Sequence, residues 1–377
     1  MDWITREIEK QFVNKLQAGK VLVVHGARRV GKTSAIERYM KASGGAYFIG
    51  TGDDIQTRDI LSSENKSLIT SAFGGYNTVF IDEAQRIPKI GWGLKILVDA
   101  LPELKIIASG SSSFELSNKL GEPLTGRQNV FTMYPVAVSE LAENSGRMHV
   151  LQHLNEFLIY GTYPETLQAS NIAQKREYLL SLRNSYLFKD ILELDNIRNS
   201  AKLIDLLKLI AFQIGHEVSL SELSVSLGIA KQTVERYLDL LEKAFIIVKV
   251  RGYSSNLRKE VTKTARYYFV DNGIRNAVIN SFNDTTTRSD MGMLWENFCF
   301  IERMKKKEYQ QLYSNNYFWR TYDKQEVDLV EERDERLFGF EFKWGKNKKA
   351  KAPTSWKTYD NASFECVTPE NFLEFVL

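Results

Sequence analysis

Gly26-Ala27-Arg28-Arg29-Val30-Gly31-Lys32-Thr33 lies just behind the apolar run Val21-Leu22-Val23-Val24, one residue (His25) away. This order restricts the local fold to a buried strand, a tight glycine turn and the start of a helix. Gly26 and Gly31 permit backbone angles that a side chain would resist. The turn aims backbone N–H groups at one point, and the following helix presents its positive end there. An anion is the natural occupant. With this spacing, Lys32 would reach the β- and γ-phosphates of a nucleoside triphosphate and Thr33 would hold Mg²⁺ through its hydroxyl. The expected nucleotide-binding set is therefore Gly26, Ala27, Arg28, Arg29, Val30, Gly31, Lys32, Thr33 and Ser34, with ATP and Mg²⁺ as its ligands.

A second run, Thr78-Val79-Phe80-Ile81, ends in Asp82-Glu83. Carboxylates at the carboxyl end of a parallel strand face the crevice where ligands bind. Asp82 would support the Mg²⁺ shell, and Glu83 would orient or deprotonate the attacking water. Further short apolar runs at Ala46–Ile49, Lys105–Ala108 and Asn129–Tyr134 alternate with helical segments, including Ile4–Leu16 and Gly93–Leu101. Near-continuous apolar strands joined by helices imply a parallel sheet covered on both faces.

At 377 residues the chain is too long for one ordinary core. Fifty Lys+Arg against 47 Asp+Glu leave a net charge of +3, so no global basic field demands a nucleic acid. Cys299 and Cys366 make neither a metal pattern nor a disulfide framework, which suggests reduced thiols and a cytoplasmic location. The charged N-terminus does not read as a signal peptide, and no apolar stretch approaches the ~18 residues that span a bilayer.

These motifs, with Ile81-Asp82-Glu83-Ala84-Gln85, Ser109-Gly110-Ser111-Ser112 and Gly126-Arg127, resemble the AAA-type ATPases of bacteria and archaea that carry a C-terminal domain of unknown function. Tyr160-Gly161-Thr162-Tyr163-Pro164-Glu165 and Tyr186-Leu187-Phe188-Lys189-Asp190 fit the same family, although Gly161-Thr162 departs slightly from its usual pair of small residues. The resemblance implies a sensor at the γ-phosphate, for which Ser109 and Ser111 are both candidates. It also implies an arginine finger at Arg127 reaching a neighbouring subunit's nucleotide, where a guanidinium stabilises transition-state charge.

Helical periodicity dominates from Val138 to about Ile214, notably at Arg176–Leu192 and Lys202–Ile210. Leu220–Leu223, Leu227-Gly228-Ile229 and Lys231–Leu241 then have the spacing of a helix-turn-helix. Phe245–Val250 and Arg266–Val270 would form a wing. Lys231, Gln232, Thr233 and Arg236 fall on the exposed face of the second helix. Between Lys231 and Val270 there are nine Lys/Arg against four acids, with Tyr253 interleaved, a surface suited to DNA phosphates.

The tail offers separate chemistry. A helix at Met291–Lys306 precedes strands near Tyr317–Thr321, Glu326–Glu331 and Leu337–Lys343, a helix near Thr354–Tyr359 and a strand near Phe364–Val367. Glu341 and Lys343, two apart on a strand, project from one face, where Asp328 and Glu296 can meet them. Such carboxylates would bind Mg²⁺ or Mn²⁺, and Lys343 would lower the pKa of a metal-bound water. Glu296, Asp328 and Glu341-Phe342-Lys343 resemble the restriction-endonuclease-like fold, whose motif is Asp, a spacer and Glu-x-Lys, often with an earlier helical Glu. Lys346, Lys348, Lys349 and Lys351 lie beside it.

The expected architecture is α/β: a P-loop ATPase domain with a parallel sheet at 1–137, a helical lid at 138–214, a winged helix at 215–282 and a restriction-endonuclease-like domain at 283–377. Three functions follow as expectations. One is an ATP-controlled DNA-processing or defence protein. Another is a nucleotide switch that holds a protein partner or a second copy, with a catalytically silent tail. The third is a plain ATPase.

Overall fold

The structure is a computed structural model and describes residues 3–110, 123–185, 200–254, 265–345 and 347–377. Ser111, the 186–190 stretch, Arg258, Lys259, Lys263 and Lys346 lie outside the described residues. The chain divides into two compact units, one formed by Met1–Pro135 with Lys243–Phe245 and the other by Val136–Glu242 with Ile246–Leu377.

The first unit is built on five parallel strands: β1 (Val21–His25), β2 (Tyr47–Thr51), β3 (Thr78–Asp82), β4 (Lys105–Gly110) and β5 (Gln128–Thr132). Their order is β2-β3-β4-β1-β5, which places the P-loop strand inside the sheet. Val21, Val23, Val79, Ile81, Ile106 and Ala108 lie in one buried cluster, as strands covered by helices require. The helices Ile55–Ser62, Lys66–Phe73 and Ile90–Ala100 pack Leu61, Phe73 and Leu94 onto it. β2 is less covered than its apolar sequence suggests. It is an edge strand, and Tyr47 and Ile49 are exposed there.

The second unit holds a seven-stranded sheet of β6 (Glu217–Val218), β7 (Ile247–Gly252), β8 (Ala265–Phe269), β9 (Asn315–Arg320), β10 (Glu326–Arg333), β11 (Arg336–Phe342) and β12 (Ala362–Val367). Its order is β12-β11-β10-β9-β7-β8-β6. Helix Leu220–Leu227 ends at Gly228, whose left-handed φ of 64° turns the chain into helix Lys231–Lys243. β7 and β8 then pair antiparallel. The sequence places a boundary near 282, yet hydrogen bonding crosses it: β7 pairs parallel with β9, and Tyr253 N–H donates to the Phe318 carbonyl at 2.7 Å. The helix expected at Arg176–Leu192 runs Ile172–Leu182, and its later part reaches residues that are not described. The one expected near Thr354–Tyr359 is a single 3₁₀ turn, Ser355–Thr358.

Buried polar groups lock the second unit. Asp271 accepts N–H bonds from Thr162 at 2.7 Å and Ile274 at 3.2 Å, and burial pushes its carboxyl up to about 6. The fold therefore retains a proton that the unfolded chain releases near pH 4. This group's contribution to stability is full below that pH and is lost as pH rises through 6, by about 3 kcal/mol in all. Asp271→Asn should gain stability relative to the wild type as pH goes from 4 to 7. A stability difference that stays flat across that range in urea titrations would refute the assignment.

Candidate functional site

The P-loop geometry follows from its two glycines. Gly31 caps helix Lys32–Ser43 at φ 95°, and a Cβ on Gly26 would sit 2.0 Å from the Met133 carbonyl oxygen. Lys32 is buried and donates to the carbonyls of Gly26 and Ala27 at 2.8 Å each. Burial lowers its ammonium to about 8; Glu83 and Asp82 oppose that shift, and Arg28 adds to it. His25, at the end of β1, is driven down to about 4 by burial and by Lys32, and its Nε2 lies 2.9 Å from Thr132 Oγ1. Ser34 and Arg29 point outward, while Ala27 and Val30 are buried.

Because β3, β4 and β1 are adjacent and parallel, their carboxyl ends share one edge. Asp82 stands there as a common acceptor. Thr33 Oγ1 donates to its Oδ2 at 2.7 Å, Ser109 Oγ donates to its Oδ1, and the Glu83 N–H donates to Oδ1 at 3.0 Å. Glu83 adopts a left-handed φ of 46°, which is unfavourable for a residue with a side chain by roughly 1–2 kcal/mol. Gln85 Nε2 donates to its carboxylate. Gly52 packs so close that a Cβ would lie 2.3 Å from the Glu83 carbonyl oxygen. The structure thus brings together Lys32, Thr33, Asp82, Glu83 and Ser109. Arg127 is half-buried and ion-paired with Asp99.

Residues 18–142 match an AAA domain. Two models described as domains of unknown function (DUF8612 and DUF4143) match residues 151–285 and 291–368. An uncharacterized protein of Mycobacterium tuberculosis is 24% identical over 343 residues, covering 90% of this chain and 73% of that protein. One from Methanocaldococcus jannaschii is 25% identical over 348 residues, covering 87% and 74%. Among solved structures, DnaA from Aquifex aeolicus bound to AMPPCP overlaps 63% of this chain and 86% of its own, at 15% identity and a TM-score of 0.31. Domain III of the Thermotoga maritima replication initiation protein DnaA overlaps 58% and 86%, at 13% and 0.27.

Sequence patterns alone miss Arg6 in the first unit. It is buried, and its guanidinium donates to the Val30 carbonyl inside the P-loop and to the Tyr134 carbonyl at 2.7 Å. One side chain thus braces the loop from behind. Arg6→Gln should weaken ATP binding by roughly tenfold, the loss of about one charge-assisted hydrogen bond. Unchanged affinity in calorimetric titration would contradict this role.

In the second unit, Glu296, Asp328, Glu341 and Lys343 also converge. Lys343 Nζ donates to Glu341 Oε1 at 2.6 Å, and the Phe342 N–H donates to Asp328 Oδ2 at 2.9 Å. Yet the expected metal set is already engaged by other groups. Arg266, only 3% exposed, reaches Glu296 and Asp328 at 3.5 Å and Glu326 at 3.0 Å. Tyr268 Oη donates to Glu296 Oε1 at 2.8 Å. Among the described residues no group of three or more His, Cys, Asp or Glu side chains is arranged to hold a metal ion. Burial and Asp328 raise Glu296 well above the carboxylate range, and the same two causes bring Glu341 to about 7. The carboxylates meet as the motif predicts, but their donor set does not fit a resident divalent ion.

The basic surface is also thinner than its composition suggests. Arg266 is withdrawn into this cluster, and Tyr253 packs against Tyr317 and Tyr359. Lys231, Gln232, Arg236, Lys249 and Arg251 are exposed, and Thr233 is half-buried. Cys299 and Cys366 are free thiols. No helix among the described residues is long and apolar enough to cross a membrane.

Proposed function

We propose that the protein binds ATP with Mg²⁺ and hydrolyses it, and that nucleotide state controls DNA binding by a winged helix at residues 215–282. The observation that carries the ATPase reading is Asp82, whose carboxylate gathers the hydroxyls of Thr33 and Ser109 at the carboxyl edge of the sheet. Thr33 and Asp82 offer hard oxygen donors, which suits Mg²⁺. The ion would neutralise charge on the β- and γ-phosphates. Lys32 would exchange its two carbonyl partners for phosphate oxygens. Glu83, held by Gln85, would take the proton of the attacking water. Ser109 would sense the γ-phosphate, and Arg127 would serve a second copy's nucleotide.

The DNA reading is supported by the exposed cations around helix Lys231–Lys243. Lys231→Glu with Arg236→Glu should weaken binding to duplex DNA by at least about tenfold and reduce the salt dependence by about two counterions. Anisotropy titrations at two salt concentrations, with and without ATP, decide this. Wild-type binding by the double variant would end the DNA reading. The burial of Arg266 and the partial burial of Tyr253 favour a second reading, a nucleotide switch whose second unit holds a protein partner. Absence of salt-dependent DNA binding by the wild type would leave that reading standing.

A further inference from the structure

We propose that Arg266 is the resident cation of the carboxylates Glu296, Asp328 and Glu326, standing between two of the motif's expected metal ligands and tying β8 to the C-terminal half of the sheet. The motif that carries these carboxylates resembles a metal-dependent nuclease site, and the geometry disagrees with that use. Arg266 comes from β8, Asp328 from β10, Glu341 from β11 and Glu296 from helix Met291–Gln310. The helix, through Glu296, and β10, through Asp328 and Glu326, thus converge on one guanidinium from β8.

At least one oxygen of each carboxylate that a metal would need has a protein partner. Asp328 Oδ1 faces Arg266, and its Oδ2 accepts the Phe342 N–H. Glu296 Oε1 is shared by Arg266 and Tyr268, and Glu341 Oε1 accepts from Lys343. Glu341 Oε2 is the buried oxygen without a hydrogen-bond partner. A divalent ion held between Glu296 and Asp328 would have to displace the guanidinium that pairs with both.

The surroundings hold the arginine in place. Its guanidinium carbon lies 4.6 Å from the Phe318 ring centre. Gly215 leaves room for Glu296, since a Cβ there would come within 2.7 Å of its carboxylate. β10 gains an extra residue against β9 between Val327 and Val330, a bulge at the position of Asp328. Bulges of this kind re-aim a side chain. A guanidinium presents several donors in a fixed fork, which matches carboxylates from more than one direction.

The test uses the full chain without nucleotide. Mn²⁺ titrations followed by electron paramagnetic resonance should give the same isotherm for the wild type and for Asp328→Asn. A wild-type Mn²⁺ site that weakens tenfold or more in Asp328→Asn would overturn the proposal. Thermal unfolding gives an independent reading. Arg266→Gln should lower the melting midpoint by roughly 5–10 °C, because it leaves buried carboxylates uncompensated. Adding Asp328→Asn to that variant should recover part of the loss. A midpoint within about 1 °C of the wild type for Arg266→Gln would show that the arginine ties nothing together.

Discussion

Glu83→Gln is expected to bind ATP with near wild-type affinity while turnover falls by about two to three orders of magnitude. Replacing the carboxylate by an amide removes the base but keeps the shape. Loss of a positioned general base typically costs 10²–10⁴ in rate. The amide also keeps a hydrogen-bonding partner for Gln85, so the left-handed turn at Glu83 should persist. Asp82 and Thr33 remain in contact, so nucleotide binding should survive. Calorimetric ATP binding combined with a phosphate-release assay measures both quantities. Turnover within a factor of about three of the wild type would remove Glu83 from the mechanism.

The largest expected effect on stability lies far from the P-loop. Glu331 is fully buried on β10 and accepts from Arg303 Nε at 2.8 Å and Nη2 at 3.0 Å. Lys307 and Arg333 stand at 3.9 Å and 3.5 Å. Burial alone would raise this carboxyl, but the Arg303 hydrogen bonds and the surrounding cations hold it below its ordinary value. Arg303 also donates to the Phe375 carbonyl and lies over the Phe375 ring. Glu331→Gln would leave buried cations without their counter-charge. Breaking such a pair from one side costs about 3–5 kcal/mol. The exposed pair Lys41–Glu37 is the natural control, since removing it should cost under about 1 kcal/mol. Urea unfolding should separate the two variants clearly. A Glu331→Gln loss no larger than that of Glu37→Ala would mean that the cluster adds little.

The assembly of the edge proposed to bind phosphate was legible in the sequence because its information is local. Gly26, Gly31, Lys32 and Thr33 are bound to one turn by their spacing, and Asp82-Glu83 ends its own strand. Once those strands are parallel neighbours, the edge assembles without further instruction. The convergence of Glu296, Asp328, Glu341 and Lys343 was legible for a similar reason, since alternation along strands sets which side chains share a face.

What those tail carboxylates contact was decided by tertiary structure. A lysine or arginine contributes the same charge to a sequence wherever it ends up. Arg266 reads as one of nine cations on a basic surface, yet the pairing of β7 with β8 and β9 draws it inside, against Glu296, Asp328 and Glu326. Tyr253, partly buried, is laid against the core by the same pairing. Arg6 shows the effect in the other unit, where a residue in a charged N-terminal run becomes a brace for the P-loop. The sequence by itself determined which residues share the turn and strand ends of the proposed phosphate site. Long-range strand pairing alone decided which charges face solvent and which neutralise one another, because burial depends on partners that are distant along the chain.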